Sequence, residues 1–228
     1  MKDALGATLA LTRIQKLIAA RMVRSKREKA CYCIKATVDL TEVMALRRRL
    51  SKSSGARITS NTFFIRALAL GARRYPVVLG RFEGRGIVLA DGVNVGFAVN
   101  SAAGLMVPVI HDADQKSLAE LAELDAELTD KARHNRLSLE DLEGETIALS
   151  NLGAYGVDSF VGITPPRASV ILCAGNIVRA VVPVDGAATV RKVVELSLSA
   201  DRRVVDEVKA ARFLKFIKQA LEKPGELI

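Results

Sequence analysis

At 228 residues, half of them hydrophobic, the chain is long enough to bury one full core and reads most simply as a single domain. No apolar run reaches membrane-spanning length, and the start MKDALGATLALTRIQ lacks the basic head, apolar block and cleavage site of a secretory signal. The net charge of +9 permits a polyanionic partner, but tryptophan is absent and no basic-aromatic stretch is built to stack bases, so nucleic acid is not the expected one.

Residues 1–11 read as a loose lead-in. Thr12 then caps a helix, TRIQKLIAARMVRSKREK, with Ile14, Leu17, Ile18 and Met22 on its apolar face and Arg13, Lys16, Arg21, Arg24, Lys26 and Arg27 on the other. From Cys31 to Leu40 the chain alternates as a strand, which puts Cys31 and Cys33 on one face as half-buried small hydrophobes. With Cys173 the cysteines number three, and no second pair stands at metal-ligand spacing. No metal site is therefore expected, and a reduced setting fits, the cytoplasm or, in a eukaryote, the mitochondrial matrix. Thr41 opens a second helix, TEVMALRRRL, ended by the turn SKSSGA; a third, Ser60 to Arg74, is apolar almost all round and stops at Pro76.

Gly86 to Ile110 reads as strands, with Asp91-Gly92 as a hairpin step between two apolar runs and GLMVPVI after a Ser/Ala/Gly turn. His111, at a strand end, is read as structural. Ser117-x-x-Glu120 is a capping box before a helix with Leu118, Leu121, Leu124 and Leu128 on one face, and His134 falls in its charged, exposed tail. No Ser/His/Asp constellation forms around either histidine. A further β-run, Thr146 onward, ends in Ser150-Asn151-Leu152-Gly153 and presents a hydroxyl and an amide at a turn. The run Val193, Val194, Leu196, Leu198 leads into Asp201-Arg202-Arg203-Val204-Val205-Asp206, followed by a helix with Val208, Ala211, Leu214 and Ile217 at helical spacing. On residue type alone Asp206 caps that helix and the arginines are solvated.

LSLSADRRVVDEVKAARFL resembles the D-H-R-x-x-D-G signature of the dihydrolipoamide acyltransferase component of 2-oxo acid dehydrogenase complexes, a family that shares its fold with chloramphenicol acetyltransferase. Asp201, Arg203 and Asp206 agree with the pattern, whereas the family's catalytic histidine falls on Arg202 and its glycine on Glu207. The segment GVNVGFAV…GLMVPVI is similar to a second family block, and TIALSNLG to the T-x-S-N-L-G motif, so the likeness runs from Thr12 to the end. It implies an α/β two-layer sandwich, residues 12–228 forming an acyltransferase and oligomerisation core with no lipoyl or subunit-binding domain. It implies homotrimers with sites between subunits, in many members joined into cages, here with Leu227-Ile228 as a candidate contact, and other subunits of the complex as partners. Coenzyme A is the implied substrate, and the lipoyl group would be on another domain or chain. The catalytic roles fall on Ser150, whose hydroxyl would hydrogen-bond the oxyanion, on Asp206 and on Arg202 at the histidine position; Asn151 and Gly153 fall on the coenzyme A-binding turn. The opening helix is similar to one lying beside the coenzyme A site, so its basic face would meet phosphates.

A thiol with a pKa near ~8.5 is mostly protonated at neutral pH and needs a proton acceptor. Arg202 stays protonated and cannot be one. It would fill the channel, pair with Asp206, or stabilise a thiolate by its charge. Three functions follow: a weakened or inactive acyltransferase core retained for trimer or cage assembly, a working acyltransferase with Arg-assisted thiolate chemistry, and a basic polyanion-binding module.

Overall fold

The computed structural model describes residues 6, 8–55, 57–101 and 104–228, together with all their side chains except those of Ile14 and Ser54. Much of the expected lead-in, residues 1–11, therefore lies outside the described residues. The elements are α1 (Arg13–Glu28), β1 (Cys31–Asp39), α2 (Thr41–Ser54), α3 (Ser60–Arg74), β2 (Arg81–Glu83), β3 (Gly86–Val88), β4 (Val95–Phe97), β5 (Val99–Ser101), β6 (Gly104–Met106), β7 (Val109–Ile110), α4 (Leu118–Arg133), β8 (Ile147–Asn151), β9 (Val170–Ala174), β10 (Val178–Val184), β11 (Ala187–Asp201) and α5 (Glu207–Glu222).

The main sheet runs β1-β11-β9-β8-β4-β7, with β10 paired to the outer half of β11. It is mixed: β4, β8 and β9 are mutually parallel and the other pairs antiparallel. Alternation assigns the two faces. Ile34, Val38, Leu149, Leu172, Leu196 and Leu198 point toward the helices, where α3 and α5 pack on each other and α5 lies over β1. Ala148, Ile171 and Cys173 point the other way and form a small second cluster with Phe160. Residues 157–169 cross that second face as a strap. Ser197 donates to the Phe160 carbonyl, and Gly162 lies so close to Cys173 that a Cβ there would meet Sγ at 2.6 Å.

Capping fixes three of the helices as their sequences require. Thr12, Thr59 and Ser117 each accept from the N3 amide while the N3 side chain returns the bond. Pro76 follows the α3 C-cap, Tyr75. Helix α2 runs through the Ser-rich stretch expected to end it and stops only at Gly55, which takes the left-handed conformation (φ +70°).

Four local expectations change. Asp91-Gly92 is a bend between β3 and β4, which belong to different sheets; the hairpin is β2–β3, turned by Gly84 at φ +59°. The apolar face of α1 is only partly covered among the described residues: Ile18 and Met22 are half-buried and Leu17 stays 52 % exposed. The helix is instead held at its C-terminal end, where Ser25 Oγ donates to Thr164 O (2.6 Å) and Lys29 Nζ to the Pro165 and Ala168 carbonyls. In α5 the core side is Ala210, Phe213, Leu214, Ile217 and Leu221, while Val208 and Ala211 face outward, because the helix enters over β1 and α3 from one side. Cys31 is exposed rather than half-buried, standing at the end of an edge strand.

Candidate active site

The Ser150 turn is built by parallel pairing and by glycines. Strand β8 pairs with β9 so that Ser150 stands opposite Cys173 and Asn151 opposite Ala174. Beyond the strand, the Asn151 side chain accepts from Gly153 N (2.9 Å), and Leu152 N donates to Ala174 O (3.1 Å). A Cβ on Gly153 would sit 2.5 Å from Gly175 O, and Gly175 is pressed against the Asp158 carbonyl. Ser150 itself is half-buried on the strap side of the sheet, and Cys173 beside it is a buried thiol whose pKa burial pushes up to about 12. Cys173 is thus a packing residue with no thiolate at neutral pH.

At the far end of β11 the chain turns at once into α5. Arg202 N donates to Ala30 O, and Val204 N and Val205 N both donate to Asp201 O, closing the turn. Asp201 is buried, and the Arg203 guanidinium covers it in a two-pronged contact (Nε to Oδ1 3.0 Å, Nη2 to Oδ2 2.7 Å) while stacking over Phe82 at 4.9 Å. The Tyr32 hydroxyl, its pKa raised to about 12 first by burial and then by Glu207 and Asp206, donates to Val205 O at 3.1 Å. Asp206 caps α5, accepting from Lys209 N (2.8 Å) and facing Lys209 Nζ (2.6 Å), which hold its carboxyl below the usual range.

Arg202 therefore does not pair with Asp206. Its Nε meets Glu207 Oε1 at 2.8 Å, with both side chains more than half exposed. Arg202 and Glu207, the two positions expected from the resemblance to depart from the signature, are each other's partners. Glu207 is also the first residue of α5, where the backbone is helical and any side chain is accommodated. Residue type alone gave no sign of this pairing; the five-residue spacing across a turn into a helix was the only available cue.

Ser150 and Arg202 are not brought together within one chain. Ser150 is level with Cys173 and Ser197, whereas Arg202 follows Asp201, which is paired with Cys31. Four residues of strand, about 13 Å, and two interstrand spacings, about 10 Å, separate Ser150 from Asp201. Asn151 and Gly153 stay with Ser150, and Asp206 with Arg202. One residue that drew no notice in the sequence is Lys29: burial lowers its pKa to about 8, and it ties α1 to the strap next to Cys31, Asp201 and Glu145. His111 rests against the Glu140 carbonyl (3.4 Å), and His134 caps α4 beside Asp130 (3.1 Å); among the described residues neither touches Ser150 or Arg202.

A mixed sheet with α2 to α5 on one face and a strap on the other defines an α/β core of the chloramphenicol acetyltransferase type. A chloramphenicol acetyltransferase structure superposes with a TM-score of 0.57 at 16 % identity, covering 89 % of this chain and 94 % of that one, a likeness of fold alone. Residues 5–228 match the family model for 2-oxoacid dehydrogenases acyltransferase (catalytic domain), and the chain belongs to that family. It is 37 % identical over 223 residues to the dihydrolipoyllysine-residue acetyltransferase component of the acetoin cleaving system of Bacillus subtilis, covering 96 % of this chain and 56 % of that protein. It is 33 % identical to the acetyltransferase component of the mitochondrial pyruvate dehydrogenase complex of Schizosaccharomyces pombe, covering 96 % and 47 %. The chain thus spans about half the length of these relatives. Among solved structures, a probable dihydrolipoamide acetyltransferase from Listeria monocytogenes superposes with a TM-score of 0.92 at 32 % identity, covering 96 % of each chain. The cubic core of a pyruvate dehydrogenase multienzyme complex gives 0.90 at 31 %, covering 97 % of this chain and 93 % of that one.

Proposed function

We propose that this chain forms the core of a 2-oxo acid dehydrogenase complex, that its acyl transfer between dihydrolipoamide and coenzyme A is weakened, and that assembly into trimers and cages is the role it keeps. The observation that carries the proposal is Arg202, tied to Glu207 at 2.8 Å in the position where the family signature has a proton-accepting histidine. Acyl transfer needs the coenzyme A thiol deprotonated and the tetrahedral oxyanion held. The Ser150 hydroxyl remains at its turn for the second task, but no imidazole remains for the first, and losing a general base costs about 10²- to 10⁴-fold.

The separation of Ser150 from Arg202 supports a site completed between subunits, Ser150 of one copy facing Arg202 of the next. The exposed apolar side of α1 is consistent with such packing. For larger assembly, Ile228 is 63 % exposed beside an open cavity of about 560 Å³ lined by Leu46, Arg49, Glu222 and Pro224, a setting suited to contact between trimers. A cytoplasmic or mitochondrial-matrix setting goes with this reading; the described residues contain no helix long and apolar enough to cross a membrane. The lipoyl group would come on another domain or chain, and the basic outer face of α1 would meet the coenzyme A phosphates. Thiolate chemistry assisted by Arg202 alone is the weaker reading, since Glu207 already offsets the guanidinium charge. No feature of the fold favours a polyanion-binding module.

The test pairs two measurements: coenzyme A-dependent transfer from acetyl-dihydrolipoamide beside a histidine-bearing relative, and sedimentation velocity of the same preparation. Transfer at least tenfold below the relative, from a trimer or larger particle, is the expected result. Equal rates at neutral pH, or a monomer, would overturn it.

A further inference from the structure

We infer that Glu207 is the proton acceptor for the acyl transfer this core retains, with Arg202 holding the thiolate, an inference that rests on the reading above that the thiol reacts beside Arg202. The two side chains are in contact through Nε and Oε1 at 2.8 Å, yet they are 54 % and 58 % exposed, so the pair stands open to a substrate rather than sealed in packing. An exposed pair of this kind contributes little to stability, about 0–1 kcal/mol, so a substrate can disturb it at small cost to the fold. Oε1 is taken by Arg202, and Oε2 receives no hydrogen bond from the described residues. Glu207 also borders a shallow depression of about 340 Å³ along α5, with Val208 and Ala211 as its apolar floor and Arg212 and Lys215 at its rim. An extended thiol-bearing arm would find apolar contact there beside Glu207.

The step balances without a redox partner. The coenzyme A thiol gives its proton to Glu207 Oε2, and the sulfur electron pair forms a new C–S bond at the thioester carbonyl. The carbonyl π pair moves onto oxygen, where Ser150 of the neighbouring copy donates a hydrogen bond. Collapse breaks the bond to the lipoyl sulfur, and that departing thiolate takes the proton back from Glu207. Once Glu207 is protonated its charge no longer offsets Arg202, and the guanidinium then faces the thiolate in each half of the step. A carboxylate is a weaker base than imidazole, so the retained rate falls short of a histidine-bearing relative's.

The experiment follows coenzyme A-dependent transfer from acetyl-dihydrolipoamide in the full chain. Glu207→Gln is expected to lower kcat at least ~10-fold with the KM for coenzyme A changed less than about twofold, and Glu207→Asp to keep more activity than Glu207→Gln. Added formate is expected to restore part of the activity of Glu207→Ala. Full activity in Glu207→Gln, or no response of Glu207→Ala to formate, overturns the inference. A wild type that assembles and binds coenzyme A but transfers nothing also overturns it, leaving the weakened-core reading intact. A wild type that neither assembles nor binds removes both.

Discussion

Gly153 approaches Gly175 so closely that a Cβ on the first would lie 2.5 Å from the carbonyl oxygen of the second. The neighbour is backbone, which cannot swing aside as a flexible side chain would. Gly153→Ala should therefore push the Ser150 turn away from β9, costing about 1–3 kcal/mol as overpacking does. For a domain of this size the unfolding midpoint should fall by about 2–4 °C per kcal/mol. Differential scanning calorimetry checks this, and an unchanged midpoint would mean the turn yields more readily than its packing indicates.

The Arg202–Glu207 contact makes the outcome of restoring a histidine depend on residue 207. In Arg202→His the new imidazole would stand beside the Glu207 carboxylate, which favours its charged form and raises its pKa. An imidazole accepts a proton only when neutral, so the rise of kcat/KM with pH should come late in this variant. Arg202→His/Glu207→Gly removes that carboxylate and should shift the rise to lower pH, with a gain over wild type of about 10²- to 10⁴-fold where the rest of the channel is intact. The glycine would occupy the first helical position of α5, where its cost is below the roughly 0.5–1 kcal/mol of a helix interior. The pH profiles of the two variants and the wild type decide the matter; superimposable profiles for the two variants would contradict the electrostatic coupling.

The helices were legible in the sequence because caps and periodicity are local. Thr12, Ser117 and Pro76 mark their boundaries where the structure has them, and Leu118, Leu121 and Leu128 are buried as their spacing requires. The strand–turn carrying Ser150 and the strand–turn–helix around Asp201 and Asp206 were legible for the same reason. What the residues did not disclose depends on contacts distant in sequence. Asp91-Gly92 has the chemistry of a hairpin turn, but β4 is claimed by β8 across fifty residues, so the two flanking runs never pair. Val208 and Ala211 keep helical spacing with Leu214, yet the face of α5 that meets α3 and β1 is set by Phe213, one residue off that stripe. Lys29 looked like one more basic residue in a run, and only the return of the strap, some 136 residues later, makes it a half-buried tie.

Lys29 carries a pH dependence of known sign. Burial disfavours its ammonium more than Cys31 and Asp201 favour it, so its folded pKa is about 8 against the ordinary lysine value of 10.5. Between those values the unfolded chain keeps a proton that the folded chain has released, and stability rises with pH as that penalty disappears. Below about 8 the ammonium is present in both states and the full penalty remains. Lys29→Met should lack this rise: its unfolding free energy, subtracted from that of wild type, should climb from pH 8 to 10.5 and stay flat below. Parallel curves from urea titrations across that window would show that the amine is better solvated than its two carbonyl contacts indicate.

Ile228 tests whether larger assembly is separable from the fold. Leu227 is fully buried within the chain's own core, whereas Ile228 is exposed beside the cavity between α2 and the residues after α5. A substitution at Leu227 would confuse folding with association, but one at Ile228 touches only the outer surface. Ile228→Asp would place a carboxylate at a cavity lined by Glu222 and Glu226 as well as Arg49 and Lys223, and in an apolar contact between trimers it would be desolvated where the isoleucine was not penalised. Its loss to association should be several kcal/mol per contact, repeated at every symmetry-related position, so even a cage held by many weak joints should come apart. The proposed meeting of Ser150 with Arg202 of the next copy involves neither Ile228 nor its cavity and should hold. Sedimentation velocity is therefore expected to show trimers in place of the larger particle, with an unchanged unfolding midpoint. Intact cages in Ile228→Asp would assign the trimer-to-trimer joint to another surface, and monomers would mean that the C-terminus serves the trimer itself.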